Sequence, residues 1–138
     1  MKSRDTLVRL KRFQVEEKRR QVAQIETMIG EFDRMAKELD DQINAEQEKT
    51  GIRDVTHFAY PTFAKAAMQR RENLKHSADE LRVQLNDAKE ALSEAFEELK
   101  KVELLDERDQ AREREAQAAE EQADLDAIGL MRARNMTA

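Results

Sequence analysis

Apolar residues recur at seven-residue intervals in two stretches of this chain, and one Gly/Pro-bearing break separates them. In the first stretch Val8, Val15, Val22, Ile29, Ala36 and Ile43 fall on every seventh position. Ile25, Phe32 and Leu39 fill the offset of three from residue 22 onward. In the second, Leu74, Ala78, Leu81, Leu85, Ala88, Leu92, Ala95, Leu99 and Val102 follow alternating steps of four and three. An α-helix turns once in about 3.6 residues, so this spacing lays one narrow apolar stripe along a long helix. Only another helix can cover such a stripe. The expectation is an all-α rod that other proteins touch, not a pocket that processes a substrate.

Composition agrees. Of 138 residues, 40% are charged and 4% aromatic, with three Gly and one Pro, a profile of long helices and not of a sheet. The apolar residues suffice for a thin seam, so marginal stability and frayed ends are expected. The absence of cysteine removes disulfides and thiolate metal sites and fits a reducing compartment. The basic N-terminus (Lys2, Arg4, Arg9, Lys11, Arg12) lacks the apolar stretch of a signal peptide. No run of about 18 apolar residues occurs. The expected location is therefore the cytoplasm.

The chain reads as a single coiled-coil domain over 1–138. Helix one is expected from about Ser3 to about Lys49, where Thr50-Gly51 supplies a stop. Residues 50 to 61 hold Gly51, Val55, Phe58, the only Tyr (Tyr60) and the only Pro (Pro61), which suits the first turn of a new helix. Helix two is expected from about Pro61 to about residue 128, with Gly129 ending it and a short tail over 129–138.

A connection of about a dozen residues folds helix two back along helix one. With the turn centred near residue 55, Ile29 meets Leu81, Val22 meets Ala88, Val15 meets Ala95 and Val8 meets Val102. Charge supports that pairing: residues 1–20 carry eight Lys/Arg against three Asp/Glu. They would lie beside Glu90, Glu94, Glu97, Glu98, Glu103, Asp106 and Glu107. A parallel homodimer would stack the basic segments on each other. The prediction is a long antiparallel two-helix coiled-coil hairpin, monomeric when free. Helix one would be roughly 70 Å long, and helix two would overshoot it as an overhanging C-terminal helix of about 30 Å. From Glu103 to Asp126 that end carries ten Asp/Glu against three Arg, and the repeat fades into Ala116, Ala119 and Ala123. It is either solvated and frayed or completed by a partner.

Two clusters carry open readings. Leu7, Leu10 and Phe13 flank the stripe near the basic end. Either a local phase shift buries Leu7 and Leu10, or the cluster faces outward as a partner site. Met28 and Met35 read as cover for the seam. Residues for chemistry are scarce. No Gly-rich phosphate loop or His-Glu-x-x-His pair occurs, His57 and His76 are the only histidines, and Ser3, Ser77 and Ser93 lack a base at useful spacing. No catalytic residue, metal site or cofactor is expected. A net charge of −5 and the lack of aromatics among the basic residues disfavour nucleic acid.

The opening Leu7-Val8-Arg9-Leu10-Lys11, the break with Tyr60-x-x-Phe63, and the close from Leu125-Asp126-x-Ile128 through Arg132 together resemble the flagellar export proteins of the FliJ family. The likeness covers essentially the whole chain. It implies an antiparallel coiled coil similar to the stalk subunit of rotary ATPases. The free ends would enter the hexameric flagellar export ATPase, and the hairpin side would contact the cytoplasmic domain of the export gate protein. Empty export chaperones would also bind. The location implied is cytoplasmic and peripheral at the inner face of the membrane.

Residue by residue, the resemblance implies a gate contact at Phe58, Tyr60, Phe63 and Leu74. It implies an ATPase contact at Leu7, Leu10, Phe13, Leu125, Ile128 and Arg132. On helix one, Gln42, Ala45 and Lys49 stand where the family carries bulky and aromatic residues, a departure at the gate side. Virulence-type secretion stalks share the shape. The competing readings are a homodimeric coiled-coil scaffold unrelated to secretion and a holdase chaperone gripping clients with Phe58 and Phe63.

Overall fold

The structure, a computed structural model, describes residues 3–137; Lys2 of the basic N-terminus and the last residue of the expected tail lie outside the described residues. The protein is an all-α hairpin of two long helices packed against each other, α1 (Ser3–Thr50) and α2 (Thr62–Thr137). The chain divides into two compact units, one of Met1–Phe13 with Phe96–Ala138 and one of Gln14–Ala95.

In the Gln14–Ala95 unit the two stripes find each other. Val15, Ile29, Ala36, Leu39 and Ile43 of α1 are buried, as are Ala64, Ala67, Ala78 and Leu81 of α2. Near the turn Leu39, Ile43 and Ala67 form one apolar cluster, with Met68 and Leu74 packed against it. Cross-helix ion pairs flank the seam: Arg71 Nη1 lies 2.6 Å from Asp40 Oδ1, and Arg82 Nη2 lies 2.6 Å from Asp33 Oδ2. Both pairs agree with the antiparallel alignment expected from the repeat. The hydrogen bond to Asp40 is the main cause holding the Arg71 guanidinium above its ordinary pKa.

α1 ends where the sequence places its stop. Gly51 adopts φ 73°, and its N–H donates to the Gln47 carbonyl at 2.8 Å, an αL cap that satisfies one of the last carbonyls of the helix. A side chain rarely adopts that backbone geometry, whereas Gly does so freely. Pro61 serves α2 from just outside it, its carbonyl accepting from Lys65 N–H at 3.2 Å.

The far end of α2 differs from expectation. The helix does not stop at residue 128 but runs through Gly129 to Thr137, so residues 129–137 are helical and not a loose tail. Gly51 is the glycine at positive φ, and Gly129 is not, so nothing at Gly129 turns the chain. A glycine inside a helix costs about 1 kcal/mol relative to Ala, which by itself does not end one.

In the Met1–Phe13 and Phe96–Ala138 unit the seam changes character. Val8 is buried and Leu99 and Val102 are half-buried, but Arg4 and Lys11 take the neighbouring half-buried positions of α1. Arg4 Nε lies 2.8 Å from Asp106 Oδ1, its Nη1 3.8 Å from Asp109 Oδ2 and its Nη2 2.9 Å from Glu113 Oε2. Lys11 Nζ donates to Glu98 Oε2 at 2.8 Å, and Arg12 Nε lies 4.0 Å from Glu103 Oε1. Glu98, Glu103 and Asp106 are among the acidic residues expected to face the basic segment.

Candidate functional site

The connection between the helices is a built turn. Asp54 Oδ1 accepts from Thr56 N–H at 3.0 Å and from Thr56 Oγ1 at 2.7 Å, and the Asp54 carbonyl accepts from His57 N–H at 3.1 Å. The two bonds from Thr56, the side-chain one first, hold the Asp54 carboxyl below its ordinary pKa. His57 Nδ1 accepts from Ala59 N–H at 3.0 Å, and the His57 carbonyl accepts from Tyr60 N–H at 3.0 Å. The His57 ring stacks on Phe58 with centroids 4.8 Å apart.

The four residues expected at the gate surface part company here. Phe58 is 97% exposed and Phe63 56% exposed, while Tyr60 is only 5% exposed. The Tyr60 hydroxyl accepts from Gln47 Nε2 at 2.9 Å and reaches the Met68 sulfur at 3.4 Å. Leu74 is half-buried against the Leu39–Ile43–Ala67 cluster. Phe58 and Phe63 are therefore available to a partner, whereas Tyr60 and Leu74 hold the turn and the seam beneath them. The signal for Tyr60 was its place before Pro61, but its bond to Gln47 spans a turn that no periodicity describes.

In the other unit, Leu7, Leu10 and Phe13 are all exposed, so no phase shift buries Leu7 and Leu10. They stand at steps of three on α1, with Arg9 and Arg12 interleaved. On α2, every side chain from residue 112 to 137 is exposed, including Leu125, Ile128 and Arg132. Met28 and Met35, read as seam cover, remain substantially exposed in the Gln14–Ala95 unit.

Arg4 organises the junction between covered and bare α2. Its guanidinium is held above its ordinary pKa, first by the hydrogen bond to Glu113 and then by the charges of Glu113, Asp106 and Asp109, with partial desolvation opposing them. Arg4 Nε and Asp106 Oδ1 are both shielded from water, and neither has an aligned hydrogen-bond partner, so their attraction is ionic. Among the described residues no group of three or more His, Asp or Glu side chains is placed to hold a metal ion, and no helix is long and apolar enough to cross a membrane.

Two long paired helices, with exposed apolar side chains at the turn and near the N-terminal end of α1, place the chain among all-α coiled-coil hairpins. A family model for the flagellar FliJ protein matches residues 2–137, and the chain belongs to the FliJ family, whose role is in flagellar export. No curated protein and no solved structure matches it.

Proposed function

We propose that the protein is a non-enzymatic stalk and adaptor of flagellar type III protein export. In this reading it links the hexameric export ATPase to the cytoplasmic domain of the export gate and assists empty export chaperones. It works in the cytoplasm, peripheral at the inner face of the membrane. The observation that carries the reading is the bare end of α2, where every side chain beyond Glu113, from residue 114 to 137, is exposed. A helix of that length gains little stability from propensity alone and is well suited to a partner that supplies the missing packing. Leu125, Ile128 and Arg132 there, with Leu7, Leu10 and Phe13 on α1, are assigned to the ATPase side. Phe58 and Phe63 are assigned to the gate side, with Tyr60 and Leu74 supporting them from below.

Any coupling needs the stalk to bind the nucleotide states of the ATPase with different affinities, since equal affinity shifts nothing. The test is the steady-state hydrolysis rate of the cognate export ATPase with and without this chain. A truncation after Glu113 keeps the Arg4 contacts to Asp106, Asp109 and Glu113 and removes most of the bare helix. Acceleration by the full chain that the truncation loses supports the stalk reading. No acceleration at saturating concentration overturns it and favours a scaffold or a holdase.

A further inference from the structure

The face of α2 that meets α1 does not end where α1 does. Asp106, Asp109 and Glu113 carry the alternating steps of the seam past Val102, and Arg4 covers them. The same steps continue uncovered through Ala116, Glu120, Ala123, Ala127, Leu130 and Arg134. At about 100° per residue these six lie on one side of the helix, while Leu125 and Arg132 fall on roughly the opposite side. The bare helix thus has two faces, and the continued seam is not the one assigned to the ATPase.

That face is charge-complementary to itself. Its own charges are Glu120 in the first half and Arg134 in the second, and around the whole helix residues 112–126 carry six Asp/Glu against two Arg, whereas residues 127–137 carry Arg132 and Arg134 and no acid. Parallel pairing of two such helices would set acid against acid. Antiparallel pairing sets each acidic half against the apolar-basic half of the other. Alanine at 116, 123 and 127 leaves room for close approach of the two backbones, because helix separation follows the side chains at the contact.

We infer that the Ala116–Arg134 face of α2 binds the same face of a second copy of this chain, antiparallel, with a two-fold axis near Ala127. Arg134 of each copy then meets Glu120 of the other, much as Arg4 meets Glu113 within one chain. The contact is isologous, so every pair forms twice. It covers the helix that α1 leaves bare and draws only on the side chains of this helix, so it does not depend on the export reading.

Analytical ultracentrifugation of the full chain over a range of concentrations tests this. The wild type gives a concentration-dependent monomer–dimer equilibrium. Arg134→Glu and Glu120→Arg each weaken association about tenfold, because each places like charges together twice. The two changes combined in one chain recover it. Both positions are exposed, and helical content by circular dichroism stays unchanged in all variants. A chain that remains monomeric throughout overturns the inference. So does a dimer indifferent to either single change, which would place the contact elsewhere, such as at Leu7, Leu10 and Phe13. Failure of the double change to recover association also overturns it. A loss of ATPase acceleration in the single variants without any self-association would assign the face to the ATPase instead.

Discussion

Gln47, in the last turn of α1, donates its side-chain N–H to the Tyr60 hydroxyl at 2.9 Å across the whole connecting turn. This bond ties the end of one helix to the start of the next and buries an aromatic ring that would otherwise be free for partners. Tyr60→Phe keeps the ring and removes the hydroxyl, and is expected to cost about 1 kcal/mol in denaturant unfolding. Tyr60→Ala also empties the site and is expected to cost about 3 kcal/mol.

Phe58, two residues earlier, should behave in the opposite way. At 97% exposure, Phe58→Ala is expected to change stability by no more than about 0.5 kcal/mol. Phe58→Ala combined with Phe63→Ala is expected to weaken binding to the purified cytoplasmic domain of the gate at least about tenfold by calorimetry. Unchanged affinity would move the gate contact off the turn.

Two glycines should respond to alanine with opposite signs. A Cβ at Gly30 meets nothing within 4 Å, and the residue lies inside α1, so Gly30→Ala is expected to stabilise by about 0.5–1 kcal/mol. Gly51 also has open space, but its φ of 73° strains any side chain, so Gly51→Ala is expected to destabilise by about 1 kcal/mol. Thermal unfolding of both variants reads the two signs.

The ionic seam at residues 3–13 makes that segment sensitive to acid and salt. The hydrogen bond from Lys11, and then its charge, hold the Glu98 carboxyl below its ordinary pKa. A lowered carboxyl contributes stability above the ordinary glutamate range and loses it as the pH falls through the folded value. The raised pKa of Arg4 acts the other way, its contribution being complete below the ordinary arginine value, so neutral and mildly basic pH leave it intact. Cα chemical shifts of residues 3–13 are expected to move toward unfolded values on acidification below the ordinary glutamate range. They should do the same in about 1 M salt, where the screening length is roughly 3 Å. Residues of the Leu39–Ile43–Ala67 cluster, held by apolar contact, should shift far less.

The repeat made most of the fold legible. Val8, Val15, Ile29, Ala36, Leu39 and Ile43 were named from spacing and are buried, as are Ala78 and Leu81 on α2. What spacing did not carry was which neighbours of the stripe turn outward, since Leu7 and Leu10 are as apolar as the seam and only the packing of Val8 decides between them. Gly129 misled because a glycine marks a helix end only when its backbone turns left-handed, a property absent from the letter itself. Of the candidate gate residues, Phe58 and Phe63 stand free while Tyr60 and Leu74 do not, and that division depends on long-range contacts that have no period.

A stripe that returns every seven residues cannot say which of its turns belongs opposite which. Were the helices to slide by one repeat in one direction, Arg71 would leave Asp40 for Asp33 and Arg82 would leave Asp33 for Glu26, so both charges would still be answered. Arg4 would not fare so well: it would trade Asp109 and Glu113 for Leu99 and Val102, and Lys11 would face Ala91 in place of Glu98. The charges beside Arg4 and Lys11 therefore act like the unequal teeth of a key, rejecting an alignment that the middle of the hairpin would accept.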